Sequence, residues 1–220
     1  DHMFNYQLKD ILLESEMHAV KQLLKENELN YEPHVTKTIG LYDNDKLIAT
    51  GSLDHNVIKM IAVDKTYQSQ NLSAKVLSHL LFELESLNVN HYFLFTKAEN
   101  KKIFSNFSLN EIIETPDVTL FENNTYDIHN ILNHIASKLP KKQNSKGCIV
   151  MNLNPMTLGH LYLIEHAAKL HDDLIIFLVE TDASVVSYQT RFNILKDTIR
   201  HLKNVMILPS TDYIISRATF

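Results

Sequence analysis

The stretch that decides how this chain folds covers residues 152–167 and reads Asn152-Leu153-Asn154-Pro155-Met156-Thr157-Leu158-Gly159-His160-Leu161-Tyr162-Leu163-Ile164-Glu165-His166-Ala167. It follows a short apolar run over residues 148–151. Apolar residues then recur at the spacing of one helix face, at Leu158, Leu161, Ile164 and Ala168. The pattern predicts a strand, a tight turn and the start of a helix, with the turn at Thr157.

The residues at this turn suit the binding of a phosphate. The first turn of a helix offers unpaired backbone N–H groups and the positive end of the helix dipole. Gly159 removes a side chain where a nucleotide would come close, and His160 adds a side-chain donor. The alternative is that Thr157 is only a helix N-cap and His160 a surface histidine, because the chain contains 12 histidines.

The sequence Thr157-x-Gly159-His160 after Asn-Pro resembles the (His/Thr)-x-Gly-His signature of the nucleotidyltransferase superfamily. Members of that superfamily cleave ATP between its α- and β-phosphates. The resemblance implies that Thr157 and His160 are catalytic and donate hydrogen bonds to phosphate oxygens. It also implies a nucleotide site that includes Asn152, Asn154 and Gly159, where the two asparagines either shape the turn or contact the nucleotide.

Composition sets limits on the class of protein. The chain has 220 residues, 45% of them hydrophobic and 21% charged, which is typical of one or two globular domains. A net charge of -5 argues against a sequence-independent nucleic-acid binder. No apolar run reaches the length of a membrane span, so we expect no membrane partner and a cytoplasmic protein. Cys148 is the one cysteine, and its apolar strand predicts a core position rather than a nucleophile.

Periodicity along the chain predicts two kinds of organisation. Residues 7–29 have helical spacing, and strands are expected at residues 36–42, 47–53 and 57–63. The elements expected next are a helix at 72–87, a strand at 91–96, a short helix at 99–106, strands at 111–114 and 118–121, and a helix at 126–139. A strand after Gly147, a strand at 174–179, a helix at 188–202 and a strand at 205–208 complete the series. This final alternation implies a parallel sheet with right-handed crossovers.

We therefore expect an α/β protein in two parts. Residues 4–122 form the first domain, and residues 123–146 a helix and a polar linker. Residues 147–220 form a partial Rossmann-like parallel sheet, the N-terminal part of a nucleotidyltransferase domain.

The first domain resembles the GNAT acetyltransferase family, whose fold is mixed α+β. In that family a loop of Arg/Gln-x-x-Gly-x-Gly/Ala type holds the pyrophosphate of acetyl-CoA at a helix start. Gln68 matches this loop, whereas Asn71 and Ser73 stand in place of small residues. Because asparagine can adopt the left-handed conformation of a glycine, we expect the loop to keep its shape. The resemblance implies that Gln68, Asn71 and Ser73 bind a CoA-type arm.

The general acid of that family is missing. GNAT members often carry a tyrosine after the strand that ends near residue 96, whereas residues 97–109 contain Phe104 and Phe107 and no tyrosine. Both phenylalanines are predicted to lie in the core. The sequence therefore predicts a docking site for a CoA-like arm rather than an independent acetyltransferase.

The two parts together are similar to the citrate lyase ligase family over nearly the whole chain. The similarity is carried by residues 64–73, 93–97, 152–167 and 212–220, and by Arg191. It implies that ATP and acetate give acetyl-adenylate, with Mg²⁺ as counter-charge and no metal ligand from the protein. The acetyl group then passes to the prosthetic-group thiol of the citrate lyase acyl-carrier subunit.

The sequence is compatible with more than one role for Arg191 and for the chain. Arg191 either contacts the pyrophosphate or is an ordinary solvated arginine. The chain is either the ligase, another adenylyltransferase such as one acting on phosphopantetheine, or a non-catalytic module that binds CoA or a carrier protein.

The nucleotidyltransferase fold also normally has about five parallel strands and a second motif of Ile-Ser-x-Thr-x-x-Arg type. Only three strands are predicted after Gly147, and residues 215–219 resemble the motif superficially. We therefore expect a C-terminally truncated and inactive polypeptide.

Overall fold

The computed structural model describes residues 6–180 and 185–214. The chain divides into two compact units, Asp1–Ile128 and His129–Phe220. The stretch at 215–219 lies outside the described residues. Within the described ranges, none of the helices is both long and apolar enough to cross a membrane.

The first unit is built on one mixed sheet. Its strands, among the described residues, are β1 (Gln7–Asp10), β2 (Lys37–Asp43), β3 (Lys46–Asp54), β4 (Val57–Val63), β5 (Phe93–Lys97), β6 (Leu109–Glu114) and β7 (Val118–Asn123). Their order across the sheet is β1-β2-β3-β4-β5-β7-β6, and β4 and β5 are parallel. The helices are α1 (Glu14–Glu26) and α2 (Leu72–Ser86), with 3₁₀ helices at Lys65–Gln70 and Ala98–Phe104.

A helix on each face of this sheet explains why β2 and β3 are buried on both faces. The α2 side chains in the core are Leu72, Val76, Leu77, Leu80 and Leu84. The α1 side chains Val20, Leu23 and Leu24 pack in a second cluster with Tyr42, Met60 and Ala62. Phe104 is buried and Phe107 packs against the same cluster as α2, which confirms the core position predicted for both.

The helix predicted over residues 7–29 begins later in the structure, so the prediction was wrong for its first residues. Gln7–Asp10 is a strand that pairs antiparallel with β2, and α1 begins only at Glu14. The Glu16 carboxylate accepts the N–H groups of Leu12 and Leu13, at 3.3 and 3.0 Å, and so fixes the helix start there. Pairing with a strand distant in sequence has outweighed the helical spacing.

The second unit contains the predicted parallel sheet. Its described elements are α3 (Ile128–Lys138), β8 (Lys146–Met151), α4 (Leu158–Leu170), β9 (Asp173–Leu178), α5 (Tyr188–Thr198) and β10 (Val205–Pro209). The order of the strands is β10-β9-β8, all parallel. Ile176 of β9 lies in one cluster with Ile164 of α4 and Leu195 of α5, so both helices cover the same face. This mixed sheet followed by a parallel sheet is the predicted fold class.

One predicted core position in this unit was wrong, and the first residue of the predicted apolar face of α4 is exposed. Cys148 is exposed, because β8 lies at an edge of the described sheet and the side chain alternates with Ile149, which packs on the helices. Leu158 is 84% exposed, because it is the first residue of α4 and precedes the turns that contact the sheet.

Candidate functional site

The turn between β8 and α4 lies at the carboxyl end of β8, where parallel sheets commonly bind ligands. Thr157 is the N-cap of α4 and has an extended backbone, with φ -123° and ψ 168°. Its Oγ1 accepts the N–H of His160 over 3.4 Å. The N–H groups of Leu158 and Gly159 precede any intrahelical acceptor, so they are left to bind an external anion.

The ring of His160 is fixed by the same threonine. The main-chain N–H of Thr157 donates to Nδ1 of His160 over 3.0 Å, and Thr157 Oγ1 lies 2.9 Å from the same nitrogen. An amide can only donate, so Nδ1 accepts and the proton of the neutral ring is assigned to Nε2. Nε2–H is therefore the side-chain donor at this helix start.

Gly159 leaves open space at the helix start. A Cβ built there would meet no atom closer than Thr157 Oγ1, at 3.6 Å. Packing within the described protein therefore does not require a glycine, and its absent side chain leaves room for a group that approaches α4.

Arg191 is buried, not solvated, with 1% of its surface exposed. Its Nε donates to the carbonyl of Val186 over 3.0 Å. Its Nη1 donates to the carbonyls of Asn152 and Val179, at 2.9 and 2.7 Å. The guanidinium thus joins the ends of β8 and β9 to the loop before α5.

The two asparagines of the turn are part of the same arrangement. Asn152 Oδ1 lies 3.3 Å from Arg191 Nη1, and Asn154 Oδ1 accepts the N–H of Val186 over 3.0 Å. Leu153, between them, has a φ of 57°, a conformation that a leucine rarely adopts. We call Asn152, Asn154, Val179, Val186 and Arg191 the strand-end network.

A further set of contacts at this sheet edge has no counterpart among the residues predicted from the sequence. Ser210, after β10, accepts the N–H of Glu180 on its Oγ over 2.9 Å. The Glu180 carboxylate accepts the N–H of Thr211 over 2.8 Å. No motif marks these residues, whose only signal is that each follows a predicted parallel strand.

A second candidate site is a cleft of about 530 Å³ in the first unit. Gln68, Asn71 and Ser73 all line it, so the structure brings the three predicted arm-binding residues together. Lys65 and Lys97 line it as well. The cleft thus combines polar side chains, two lysines and the carboxylates of Glu26, Glu28 and Glu99 near the start of α2.

The loop at the start of α2 has the expected conformation. Asn71 has a φ of 56° and a ψ of 37°, which confirms the left-handed conformation predicted for it. Asp64 accepts the amide and hydroxyl hydrogens of Thr66, at 2.9 and 2.6 Å, and stabilises the preceding 3₁₀ helix. The hydrogen bond from the Thr66 hydroxyl has the largest effect on the pKa of the Asp64 carboxyl. Together with the bond from the Thr66 amide, it holds that pKa below its usual range.

The strands beside this cleft diverge. β4 and β5 pair only at Val57–Phe93 and Ile58–Leu94, although both strands continue beyond these residues. A bulge in β4, marked by a φ of 56° at Met60, begins just after the last pair. Main-chain groups of β4 past the bulge are therefore not used in pairing with β5, and an extended ligand could bind them.

Lys97 is already engaged within the cleft. Its Nζ donates to the carbonyl of Asn27 over 2.7 Å and lies 3.5 Å from the Glu28 carboxylate. Much of its charge is thus compensated at the carboxyl end of α1. Lys65 is the other cation of the cleft.

The described part of the chain holds no cluster of three or more His, Cys, Asp or Glu side chains able to bind a metal. Mg²⁺ is commonly held by phosphate oxygens and water rather than by a protein cage. A nucleotide that brought its own Mg²⁺ would fit a site whose protein groups are hydrogen-bond donors.

The fold and these sites define an α/β protein with a donor-rich helix start at the carboxyl edge of a parallel sheet. Residues 146–220 match the family described as citrate lyase ligase C-terminal domain. The [citrate [pro-3S]-lyase] ligase of Haemophilus influenzae is 32% identical over 209 residues, covering 94% of this chain and 62% of that protein. The corresponding Klebsiella pneumoniae ligase is 35% identical over 204 residues, covering 92% and 59%.

Over nearly its whole length the chain is thus similar to citrate lyase ligases, and its residues 146–220 match the C-terminal domain of that family. It spans about three fifths of the length of the curated relatives it matches. Phosphopantetheine adenylyltransferase of Streptococcus sanguinis is also similar, with 35% identity over 66 residues that cover 29% of this chain and 40% of that protein. Among solved structures, a GNAT-family acetyltransferase of Staphylococcus aureus is 13% identical, with a TM-score of 0.47, covering 56% of this chain and 100% of that one.

Proposed function

We propose that the protein is an ATP-dependent ligase that acetylates the prosthetic-group thiol of the citrate lyase acyl-carrier subunit. The observation that carries the proposal is the turn at Thr157, where Nε2–H of His160 and the first N–H groups of α4 are available as donors. The names of the relatives support the choice of citrate lyase as the target.

In the first step, an oxygen of acetate attacks the α-phosphorus of ATP. A bond forms between that oxygen and phosphorus, the bond to the bridging oxygen of the β-phosphate breaks, and pyrophosphate leaves. Such a displacement needs alignment of the reactants and donors where negative charge gathers. Nε2–H of His160 and the N–H groups of Leu158 and Gly159 supply donors, and Mg²⁺ on the phosphates supplies counter-charge.

In the second step, the thiol sulfur of the carrier arm attacks the carbonyl carbon of acetyl-adenylate. The carbon–sulfur bond forms, the carbon–oxygen bond to AMP breaks, and the thiol proton passes to solvent. The cleft of the first unit fits the arm chemically. The start of α2 suits a phosphate, and the part of β4 that is not paired with β5 suits amide groups of a pantetheine.

The decisive experiment is isotope exchange between pyrophosphate and ATP, catalysed by the intact natural protein. We expect exchange that depends on acetate and is weaker with propionate or citrate. Transfer of labelled acetate to deacetylated citrate lyase tests the second step. Exchange that is absent with every acid, although ATP binds, would rule out the first step and leave a binding module.

The similarity to phosphopantetheine adenylyltransferase supports a second candidate, transfer of AMP from ATP to a phosphopantetheine-type acceptor. The two reactions differ in their acceptor. Formation of dephospho-CoA from ATP and 4′-phosphopantetheine, without any need for acetate, would favour the second candidate. We expect none.

A further inference from the structure

The environment of Arg191 is unusual for a cation. The side chain is 1% exposed, and it forms no ion pair with any residue in the described ranges. Burial of a charge without a partner is unfavourable unless hydrogen bonds satisfy it. Here Nε and Nη1 are satisfied by backbone carbonyls and by one asparagine side chain.

The carbonyls that Arg191 binds belong to two connections of the chain, the one between β8 and α4 and the one between β9 and α5. Asn152 follows β8, Val179 follows β9, and Val186 precedes α5. Val186 also donates its N–H to Asn154 Oδ1, so the hydrogen bonds form a closed circuit through the β8–α4 turn.

This circuit encloses the strained residue of the turn. Leu153 has a φ of 57° and is 3% exposed, and its neighbours on both sides are members of the strand-end network. A non-glycine residue keeps such a conformation only when its surroundings hold it there. Arg191 contacts the residues on both sides of Leu153, Asn152 directly and Asn154 by way of Val186.

The remaining nitrogen of Arg191 is enclosed. Nη2 has no hydrogen-bond partner in the described part of the chain and has less than 1 Å² of accessible surface. A phosphate cannot reach an enclosed atom without opening the network. A direct contact with pyrophosphate, which the sequence suggested for Arg191, is thus disfavoured by this geometry.

We propose that Arg191 is a positioning residue for adenylate formation, acting through the main-chain carbonyl of Asn152 and, by way of Val186, the side chain of Asn154 rather than by touching the nucleotide. The inference rests on the proposed function for its kinetic consequence. Its structural half, that Arg191 holds the β8–α4 turn, is independent of which reaction occurs.

The first test measures amide hydrogen exchange. In Arg191→Lys, which keeps the charge but loses the planar fork, we expect the amide of Val186 to exchange at least about tenfold faster, because the network around it loosens. Arg200→Lys, on an exposed arginine outside the network, is the matched control and should leave Val186 unchanged. Equal protection of Val186 in parent and Arg191→Lys overturns the proposal.

The second test is kinetic and uses the intact natural protein well below its melting temperature. We expect Arg191→Lys to lower kcat for pyrophosphate exchange by roughly a hundredfold, as expected when a reacting group is misplaced, with little change in the KM for ATP. Asn154→Ala, which keeps Arg191, should show the same pattern. A rise in KM with kcat unchanged would mean a direct phosphate contact, and unchanged kinetics would mean a role in stability alone; either result overturns the proposal.

The two tests separate failure of the inference from failure of the proposed function. If the parent protein catalyses no exchange, the proposed function fails, and the Val186 measurement alone decides whether Arg191 holds the turn.

Discussion

The main-chain N–H of Thr157 donates to Nδ1 of His160 across 3.0 Å, and this contact places the proton of the neutral ring on Nε2. A neutral histidine that presents Nε2–H to a phosphate needs this tautomer. The contacts that cap α4 therefore also orient the candidate catalytic donor, His160. Thr157 can act as the N-cap of α4 and as part of a phosphate site at the same time.

The first prediction concerns His160. Because a donor to developing charge is lost, His160→Ala should slow acetate-dependent pyrophosphate exchange roughly a hundredfold or more. His160→Gln, which can place an amide N–H near the Nε2 position, should lose less. His166→Ala, an exposed histidine on the same helix, is the control and should keep full activity. Equal exchange rates in His160→Ala and the parent would show that the ring is not part of the machinery.

The second prediction is a pH effect in the first unit. The Lys9 ammonium, together with the N–H groups of Leu13 and Leu12, lowers the pKa of Glu16 to about 2 from 4.5. A carboxylate whose pKa falls on folding stabilises the fold above its unfolded pKa, and this stability is lost as pH falls toward the folded value. Glu16→Gln should thus lower the urea midpoint at neutral pH, by an amount that shrinks steadily below pH 4.5.

Glu14→Gln provides the control for this measurement, because Glu14 lies in the same first turn of α1 and outside the pair with Lys9. It should change the midpoint little at any pH. A pH-independent difference between Glu16→Gln and the parent would show that packing, not the charge, is responsible.

The third prediction concerns Asn71, whose φ of 56° lies in the left-handed region. Alanine there should destabilise the first unit by about 1 kcal/mol, whereas glycine should be close to neutral. Urea unfolding of both variants measures the difference. If alanine proves as stable as glycine, the left-handed conformation is not what selects asparagine at this position.

The sequence predicted the turn at Thr157 and the conformation of Asn71 because each depends on local chemistry, and it predicted the parallel sheet because strand and helix patterns alternate after Gly147. It did not predict β1, because the strand at Gln7–Asp10 exists through pairing with β2, about thirty residues away. A single sequence contains no direct sign of that pairing, whereas the helical spacing of the same residues is visible.

The burial of Arg191 also could not be predicted from the sequence. Its acceptors are main-chain carbonyls of Asn152, Val179 and Val186, and every residue type carries a carbonyl. No side-chain pattern can therefore mark them. An arginine that binds a ligand at the surface and an arginine that is buried in a hydrogen-bond network look the same in the sequence. Only the packing of α5 on the strand ends distinguishes the two.

The last prediction tests the packing of the second unit. A Cβ added to Gly147 would lie 2.5 Å from Cδ2 of His171 and 3.0 Å from its Cγ, far inside van der Waals contact. Because the ring must shift, Gly147→Ala should destabilise the unit by about 1–3 kcal/mol. In a His171→Ala background the same substitution should lower the free energy of unfolding by less. We expect a coupling of about 1 kcal/mol or more in a double-mutant cycle measured by urea unfolding.

Gly159→Ala is the control. It should not destabilise the unit, because a Cβ at this position would meet nothing closer than 3.6 Å. An equal cost of Gly147→Ala with and without the His171 ring would show that the backbone of β8, and not this contact, requires the glycine.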